Sequence, residues 1–396
     1  MNSIKLILHN LLRKPQQKFL LVLFSTMMIV CGKVNFTNLS RYSEISERTY
    51  RRQFSRSFNF IKGNAALIKQ AIPATASQII AIDCSFVPKS GRATYGIEYF
   101  YNGSAGRAEK GLEISAIAVV DAETKQAYTL SVQQTPVASV SAETTRIDYY
   151  LQQMKATHPY LPKSARYVVA DGFYSKIKWV KGVTALKLDV IGKLRCDADL
   201  RHVYTGTQKP RGRHRKYDGK VDLTDFSRMT LVRELEPQLL LYSSVVWSVC
   251  LKCKVRLAYL LDRRHPDRVG RVLLFSTDLD IDPAEILNLY KARFQIEFIF
   301  RDAKQFTGLT DCQARDFTKL DFHFNASLMT LNLAKFDVAQ AHQSPSPFVF
   351  SMASYKRKAL NQHLLERFIC LLGLNPTLIK SHPNFPMLCS YGVIGD

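Results

Sequence analysis

The sequence predicts a mixed α/β fold preceded and followed by helical regions. Two observations carry that reading. Strand-length apolar or alternating runs begin near residue 76 and are interrupted by a segment of helical period. Helical patterning governs the stretches before 76 and after about 317. Three strands, a helix and a fourth strand in succession describe an α/β layer.

The elements follow in order. Residues 1–75 are basic, with twelve Lys and Arg against Glu44 and Glu47 only, a composition that seeks phosphate. Within them, 36–42 and 46–58 read as two short helices, with Ser46 as an N-cap and Arg48, Arg51 and Arg52 on the second. The apolar run 19–31 follows Arg13, Lys14 and Lys18 as a signal peptide would. About 13 residues are too short to span a bilayer, no small-residue cleavage site follows, and a buried helix is expected. Strands are expected over 78–86, 112–121 and 127–133. Between the first two, the Gly- and Lys/Arg-rich stretch 89–111 reads as a mobile segment or a long hairpin. A helix over 142–157 leads to a short buried strand over 165–171, and another strand is expected over 185–191.

Residues 195–220 then carry eight Lys and Arg, among them Arg211, Arg213, Arg215 and Lys216, and read as a basic loop ordered by an anion. Alternating runs over 228–234, 239–247 and 252–261 predict a β-rich insertion. A strand over 271–277 precedes Asp282-Pro283, which starts a helix, and 317–375 reads as two or more helices. The expected division is therefore 1–75, basic, helical and suited to phosphate; 76–194, first part of an α/β core; 195–270, basic β-rich insertion; 271–315, rest of that core; and 316–396, helical.

Composition narrows the partners. Fifty-five Lys and Arg against 33 Asp and Glu give a formal charge of +22 over 396 residues, far beyond what solubility requires. A polyanion is the economical explanation. Eight scattered cysteines are too sparse for a disulfide framework and read as reduced thiols in the cytoplasm. Cys250 and Cys253 have metal-ligand spacing but lack a second pair to complete a zinc site.

The chemistry concentrates in three acids. Asp83 follows the apolar Ile79-Ile80-Ala81-Ile82, and Asp171 follows Tyr167-Val168-Val169-Ala170 with Gly172 permitting a sharp exit. Acids at the ends of buried strands lie where α/β sheets place ligand sites. The third acid sits in Tyr290-Lys-Ala-Arg293-Phe-Gln-Ile-Glu297-Phe-Ile-Phe-Arg-Asp-Ala-Lys304. On one helix, Tyr290, Arg293, Glu297 and Lys304 fall within roughly 60° of each other, while Ala292, Ile296, Ile299, Ala303 and Phe306 form the opposite, apolar face. Crowded carboxylates repel unless cations neutralise them. Oxygen ligands of this kind suit Mg²⁺ or Mn²⁺, and a two-metal site clamps both oxygens of an in-line phosphoryl displacement.

With these residues in place, the chain resembles a bacterial insertion-sequence DDE transposase with a ribonuclease-H-like core. The spacing of Tyr290, Arg293, Glu297 and Lys304 matches the Tyr-Arg-Glu-Lys signature of the "insertion sequence four" family, and Asp83 and Asp171 match its first two acids. The resemblance implies a ribonuclease-H-like mixed sheet flanked by helices and interrupted by the insertion. It implies that Asp83, Asp171 and Glu297 bind two Mg²⁺ ions, with Mn²⁺ a substitute, to nick a transposon end and transfer the freed strand. Tyr290, Arg293 and Lys304 would hold DNA phosphates, and Trp247 or Tyr242 would stack on a flipped base. The implied partners are double-stranded DNA with terminal inverted repeats, target DNA and a second subunit in a synaptic homodimer. No membrane or small-molecule substrate is implied, and the location would be cytoplasmic, at the nucleoid. Two alternatives stand beside this reading: a ribonuclease-H-like nuclease without strand transfer, and a decayed transposase that only binds DNA.

Overall fold

The computed structural model describes residues 14–137, 144–265, 267–341 and 349–394. Lys5 and Arg13 of the basic N-terminal stretch, and positions 142 and 143 of the expected helix, lie outside the described residues. The apolar run is the buried side of α1 (Lys14–Ile29). Three shorter helices follow, α2 (Phe36–Arg41), α3 (Glu47–Gln53) and α4 (Phe60–Ala71). Each starts on a polar cap, and Ser46 serves α3 as predicted, its Oγ accepting the Thr49 N–H at 3.3 Å.

The core begins with β1 (Gln78–Pro88), β2 (Glu98–Asn102), β3 (Arg107–Asp121) and β4 (Ala127–Gln134). Helix α5 (Arg146–Thr157), β5 (Tyr167–Val169), α6 (Ile177–Thr184) and β6 (Asp189–Leu194) complete its first part. Strand β3 pairs antiparallel with both β1 and β4, whereas β1, β5 and β6 run parallel. The order β4-β3-β1-β5-β6, antiparallel then parallel, is the mixed ribonuclease-H-like sheet. Residues 89–111 prove to be the long hairpin, because β2 folds back on Arg107–Gly111 of β3.

Two expectations need correcting. The strand expected over 185–191 begins at Asp189, because Ala185 caps α6, whose Trp179, Val180 and Val183 are buried, and Lys187 turns the chain at φ 62°. The stretch 195–220 is not simply a loop. It contributes β7 (Leu200–Val203) and β8 (Tyr217–Lys220), which pair with each other. Leu200 supplies the buried anchor, and β7 pairs with β10 (Leu239–Ser248). With β9 (Thr230–Glu236), β11 (Cys253–His265) and β12 (Arg268–Ser276), the insertion extends the core sheet itself, since β12 pairs antiparallel with β6. All twelve strands of the described residues form one sheet.

Helices cover both faces. Helices α5 and α6 bury one face with Ile80, Ile82, Val168 and Val190. The other face meets α7 (Pro283–Ala292), α8 (Gln295–Phe306) and α9 (Phe317–Ala341). Asp282 caps α7 by accepting the Ala284 N–H at 3.0 Å, with Pro283 in its first turn as expected. Then come α10 (Met352–Leu371), α11 (Pro376–Lys380) and α12 (Phe385–Cys389). Among the described residues, no helix is long and apolar enough to cross a membrane.

Helix α9 is buried nearly all round from Leu320 to Phe336 and ties the molecule together. On its N-terminal side, Phe19, Phe54 and Phe60 converge on Phe322, with ring centroids 6.5, 4.5 and 5.2 Å away. On the sheet side it closes the free edge of β4 with polar side chains. The Asn332 amide accepts the Thr129 N–H at 2.9 Å and donates to the Thr129 carbonyl at 2.7 Å and to Asn64 Oδ1 at 3.0 Å. Lys335 Nζ donates to the Ala127 carbonyl at 3.0 Å. Burial pushes that amine down to about 8.

Replacing Asn332 by Leu strands both backbone groups of Thr129 in the interior, so urea unfolding should show a loss of about 3 kcal/mol; a loss below 1 kcal/mol would contradict this role of the amide. Lys335 has a folded pKa below its unfolded value of 10.5, so the unfolded chain binds the extra proton and stability from this group rises with pH between about 8 and 10.5. Lys335→Met should therefore gain stability relative to the parent at pH 7, and the difference between the two should shrink by pH 10.

Candidate active site

Strand register brings the first two acids together. The parallel pairing of β1 with β5 ends at Ala81 opposite Val169. Side chains alternate across a strand, so the next residues on the same face are Asp83 and Asp171. Ile79, Ala81 and Val169 pack with Ile296, Ile299 and Ala303 of α8, which identifies that face as the α8 side. The two strands end differently from the expectation. β5 stops at Val169, but β1 runs on for five residues past Asp83, paired with β3, where Ala116 lies opposite the acid. Asp171 also caps a short 3-10 turn, accepting the Phe173 N–H at 3.0 Å through Oδ1.

Glu297 reaches the same place from the first turn of α8. The expected single helix is interrupted here. Between α7 and α8 the hydrogen bonds tighten from four-residue to three-residue spacing, with Phe294 N–H donating to Lys291, Ile296 N–H to Arg293 and Glu297 N–H to Phe294. At this step Arg293 turns inward. Its Nη1 lies 3.1 Å from Asp83 Oδ2 and its Nη2 3.0 Å from Glu297 Oε1. The Arg293 side chain is only 8% exposed, and its Nε is buried without a partner. One guanidinium thus bridges the sheet acid and the helix acid.

The electrostatics follow from this crowding. Burial raises the Asp83 carboxyl, Arg293 and the Cys84 N–H at 2.8 Å oppose the rise, and Asp171 and Glu297 add to it, leaving the group at about 6. Burial alone would lower the Arg293 pKa; Asp83, Tyr290, Glu297 and Asp171 together raise it. Tyr290 lies with its ring centroid 5.6 Å from the guanidinium carbon, and burial pushes its hydroxyl up. Lys304 is half-buried near the end of α8, its amine pushed down by burial. Tyr290, Arg293 and Glu297 therefore share one side of the α7–α8 pair, with Arg293 at its centre, while Lys304 lies about two turns farther along α8.

Behind the acids, on the α5 side of the sheet, lies a buried polar chain that sequence reasoning missed. Cys84 Sγ is 3.3 Å from the Tyr174 hydroxyl, and Tyr150 donates to Glu113 at 2.6 Å. Tyr150 and Trp179 pack on Tyr174 with centroids 5.5 and 5.0 Å away. This cluster fixes the turn that carries Asp171. The only sequence signal for it was the alternation that sends Cys84 to the face opposite Asp83.

A family model described as a transposase DDE domain matches residues 74–333. The chain belongs to this DDE transposase family. No curated protein matches it. The matched span of the transposase starts just before β1, contains all three acids and ends within α9, leaving α1–α4 outside it.

The remaining candidate residues of the transposase lie across the sheet. Arg211 and Arg213 are exposed between β7 and β8. Arg215 pairs with Asp218 at 2.5 Å and covers the Tyr204 ring at 4.8 Å. Lys216 lies over Trp247 at 5.5 Å, whereas Tyr242 is stacked on Phe226 at 4.5 Å. Cys250 lies exposed in the turn between β10 and β11 and, among the described residues, has no part in a ligand cluster. Among the described residues, no three His, Cys, Asp or Glu side chains are gathered closely enough to hold a metal ion. At the three acids the reason is visible in part: Arg293 stands between Asp83 and Glu297. The donors nonetheless fit a hard divalent cation in kind, being oxygen only.

Arg293→Ala should destabilise the metal-free transposase by about 2 kcal/mol, less than a fully buried pair because Glu297 is 40% exposed. Adding Asp83→Asn to that variant should cost less than Asp83→Asn alone. Additive costs in a urea-unfolding double-mutant cycle would show that the two side chains do not interact.

Proposed function

We propose that this DDE transposase is of the "insertion sequence four" type, binds the ends of its element, and catalyses metal-dependent strand cleavage and strand transfer. One observation carries the reading: two acids follow adjacent parallel strands on one face, and a single guanidinium ties the first of them to a third acid on the neighbouring helix. In this reading Asp83, Asp171 and Glu297 hold two Mg²⁺ ions, or Mn²⁺ in their place. Those ions, when bound, supply the Lewis acidity that activates a water or a 3′-hydroxyl for attack at phosphorus.

The chain's own groups then position DNA. Arg293, Tyr290 and Lys304 flank the acids and bind phosphates of the cleaved strand, Arg293 doing so with a guanidinium that otherwise neutralises the carboxylates. The basic residues Arg211, Arg213, Arg215 and Lys216 bind the duplex backbone farther off. Seven strand steps separate β1 from β8, about 34 Å along the sheet, roughly one turn of duplex. Helices α1–α4 supply a basic surface for the terminal repeats, with Arg48 and Arg52 exposed on α3. A second subunit completes the synaptic complex, supported by apolar side chains exposed over 364–394, such as Leu371, Leu378 and Tyr391.

Glu297→Gln should abolish Mg²⁺-dependent cleavage of DNA carrying the element's ends while changing its affinity less than about threefold, since a ligand oxygen is lost and no DNA cation is removed. Cleavage at the parental rate would remove Glu297 from the mechanism. With the parental protein, joined products from a labelled 3′-end separate transposition from simple hydrolysis; nicking without joining would favour the nuclease.

A further inference from the structure

The hairpin between β2 and β3 presents aromatic side chains to solvent where none is needed for folding. Tyr99 is 62% and Tyr101 63% exposed, and Tyr95 follows at 50%. Large apolar surfaces left open in a cluster mark interaction sites. Their neighbour on the same strand, Phe100, is buried at 1% and covered by Arg146 at 4.8 Å, so the strand is firmly seated on its other side.

Register shows which way the tyrosines face. Tyr99 pairs with Lys110 and Tyr101 with Ala108. Along β3 these even-numbered residues share a face with Leu112, Ile114 and Ala116, and Ala116 lies opposite Asp83. Tyr99, Tyr101 and Lys110 therefore stand on the same face of the sheet as the three acids, beyond the end toward which β1 runs. Lys110 is exposed, as is Arg315, whose carbonyl accepts the Tyr95 N–H at 2.8 Å. Of the neighbouring acids, Glu109 is paired with Arg107 and Asp316 with Lys319, and Glu98, opposite Gly111 in the register, belongs to the other face. The surface is thus aromatic and net positive.

We propose that this hairpin face is a second DNA-binding surface, holding duplex beyond the phosphate at the acids, through Tyr99 and Tyr101 against the sugar-phosphate backbone and Lys110 on a phosphate. The assignment rests on the DNA-processing reading above. Tyrosine hydroxyls and lysines are regular backbone contacts, and rigid aromatic rings lose little freedom on binding. Such contacts carry no sequence information, which suits DNA outside the terminal repeats, whether the flank being left or the target being joined. The free edge of β2 offers an alternative occupant, a strand of a second copy.

The test uses the full chain with Glu297→Gln to prevent cleavage, a fluorescent 40-base-pair duplex of arbitrary sequence, and a salt series. Tyr99→Ala with Tyr101→Ala should weaken binding about tenfold, and Lys110→Ala should lower the salt slope by about one. All three positions are exposed, so the fold is spared, and unchanged melting of each variant checks this. Unaltered affinity and slope in variants of a parent that binds duplex would overturn the proposal, as would loss of self-association with DNA affinity intact. A parent that binds no duplex would instead sink the transposition reading. Extending an element-end duplex past its cleavage point should strengthen binding only in the parent if the flank is the occupant; equal strengthening in parent and tyrosine variant, with weaker capture of unrelated duplex, assigns the surface to target DNA.

Discussion

The site depends on one guanidinium. Arg293 joins Asp83 on the central strand to Glu297 on α8, and without a cation at that point two partly buried carboxylates and a third nearby would repel. Its location is set by the tight step between α7 and α8, which turns a residue of the polar helix face into the interior. The cost of burying it is offset by the acids, and the acids are in turn held at the helix. The stability of the fold and the placing of the acids are therefore coupled through a single side chain.

Which elements carry the three acids was legible in the sequence because each acid adjoins an apolar pattern. An apolar run before Asp83 and another before Asp171 fixed two buried strands, and Ala292, Ile296, Ile299 and Ala303 fixed the apolar face opposite Glu297. What could not be read was how these residues meet. The ion pairs of Arg293 follow from a change in helical pitch that side-chain periodicity does not encode. Basic residues also resisted reading, because charge alone does not distinguish a loop from a hairpin: residues 195–220 carry two short strands anchored by Leu200, a single apolar position in a cationic background. Leu186 and Leu188 misled in the opposite direction, since they line a turn and not the strand they resemble.

The sheet divides its labour by alternation. Even-numbered positions of β1 feed the layer under α5 and α6, where Cys84, Tyr174, Tyr150 and Glu113 brace the turn after β5. Odd-numbered positions feed the layer under α8 and include Asp83. A one-residue slip would exchange the brace for the acid. The long antiparallel pairing of β1 with β3, eleven residues in unbroken register, is what prevents it.

Asn332 has a consequence of another kind. Its amide meets the N–H and C=O of Thr129 as a peptide unit of a neighbouring strand would, so the sheet in effect gains a further strand one residue wide, borrowed from a helix. Sheet growth by strand addition is thereby closed on the β4 side. Any polypeptide that joins this molecule by backbone pairing must do so at another margin, and the acids are kept clear of such pairing on the side where α9 stands guard.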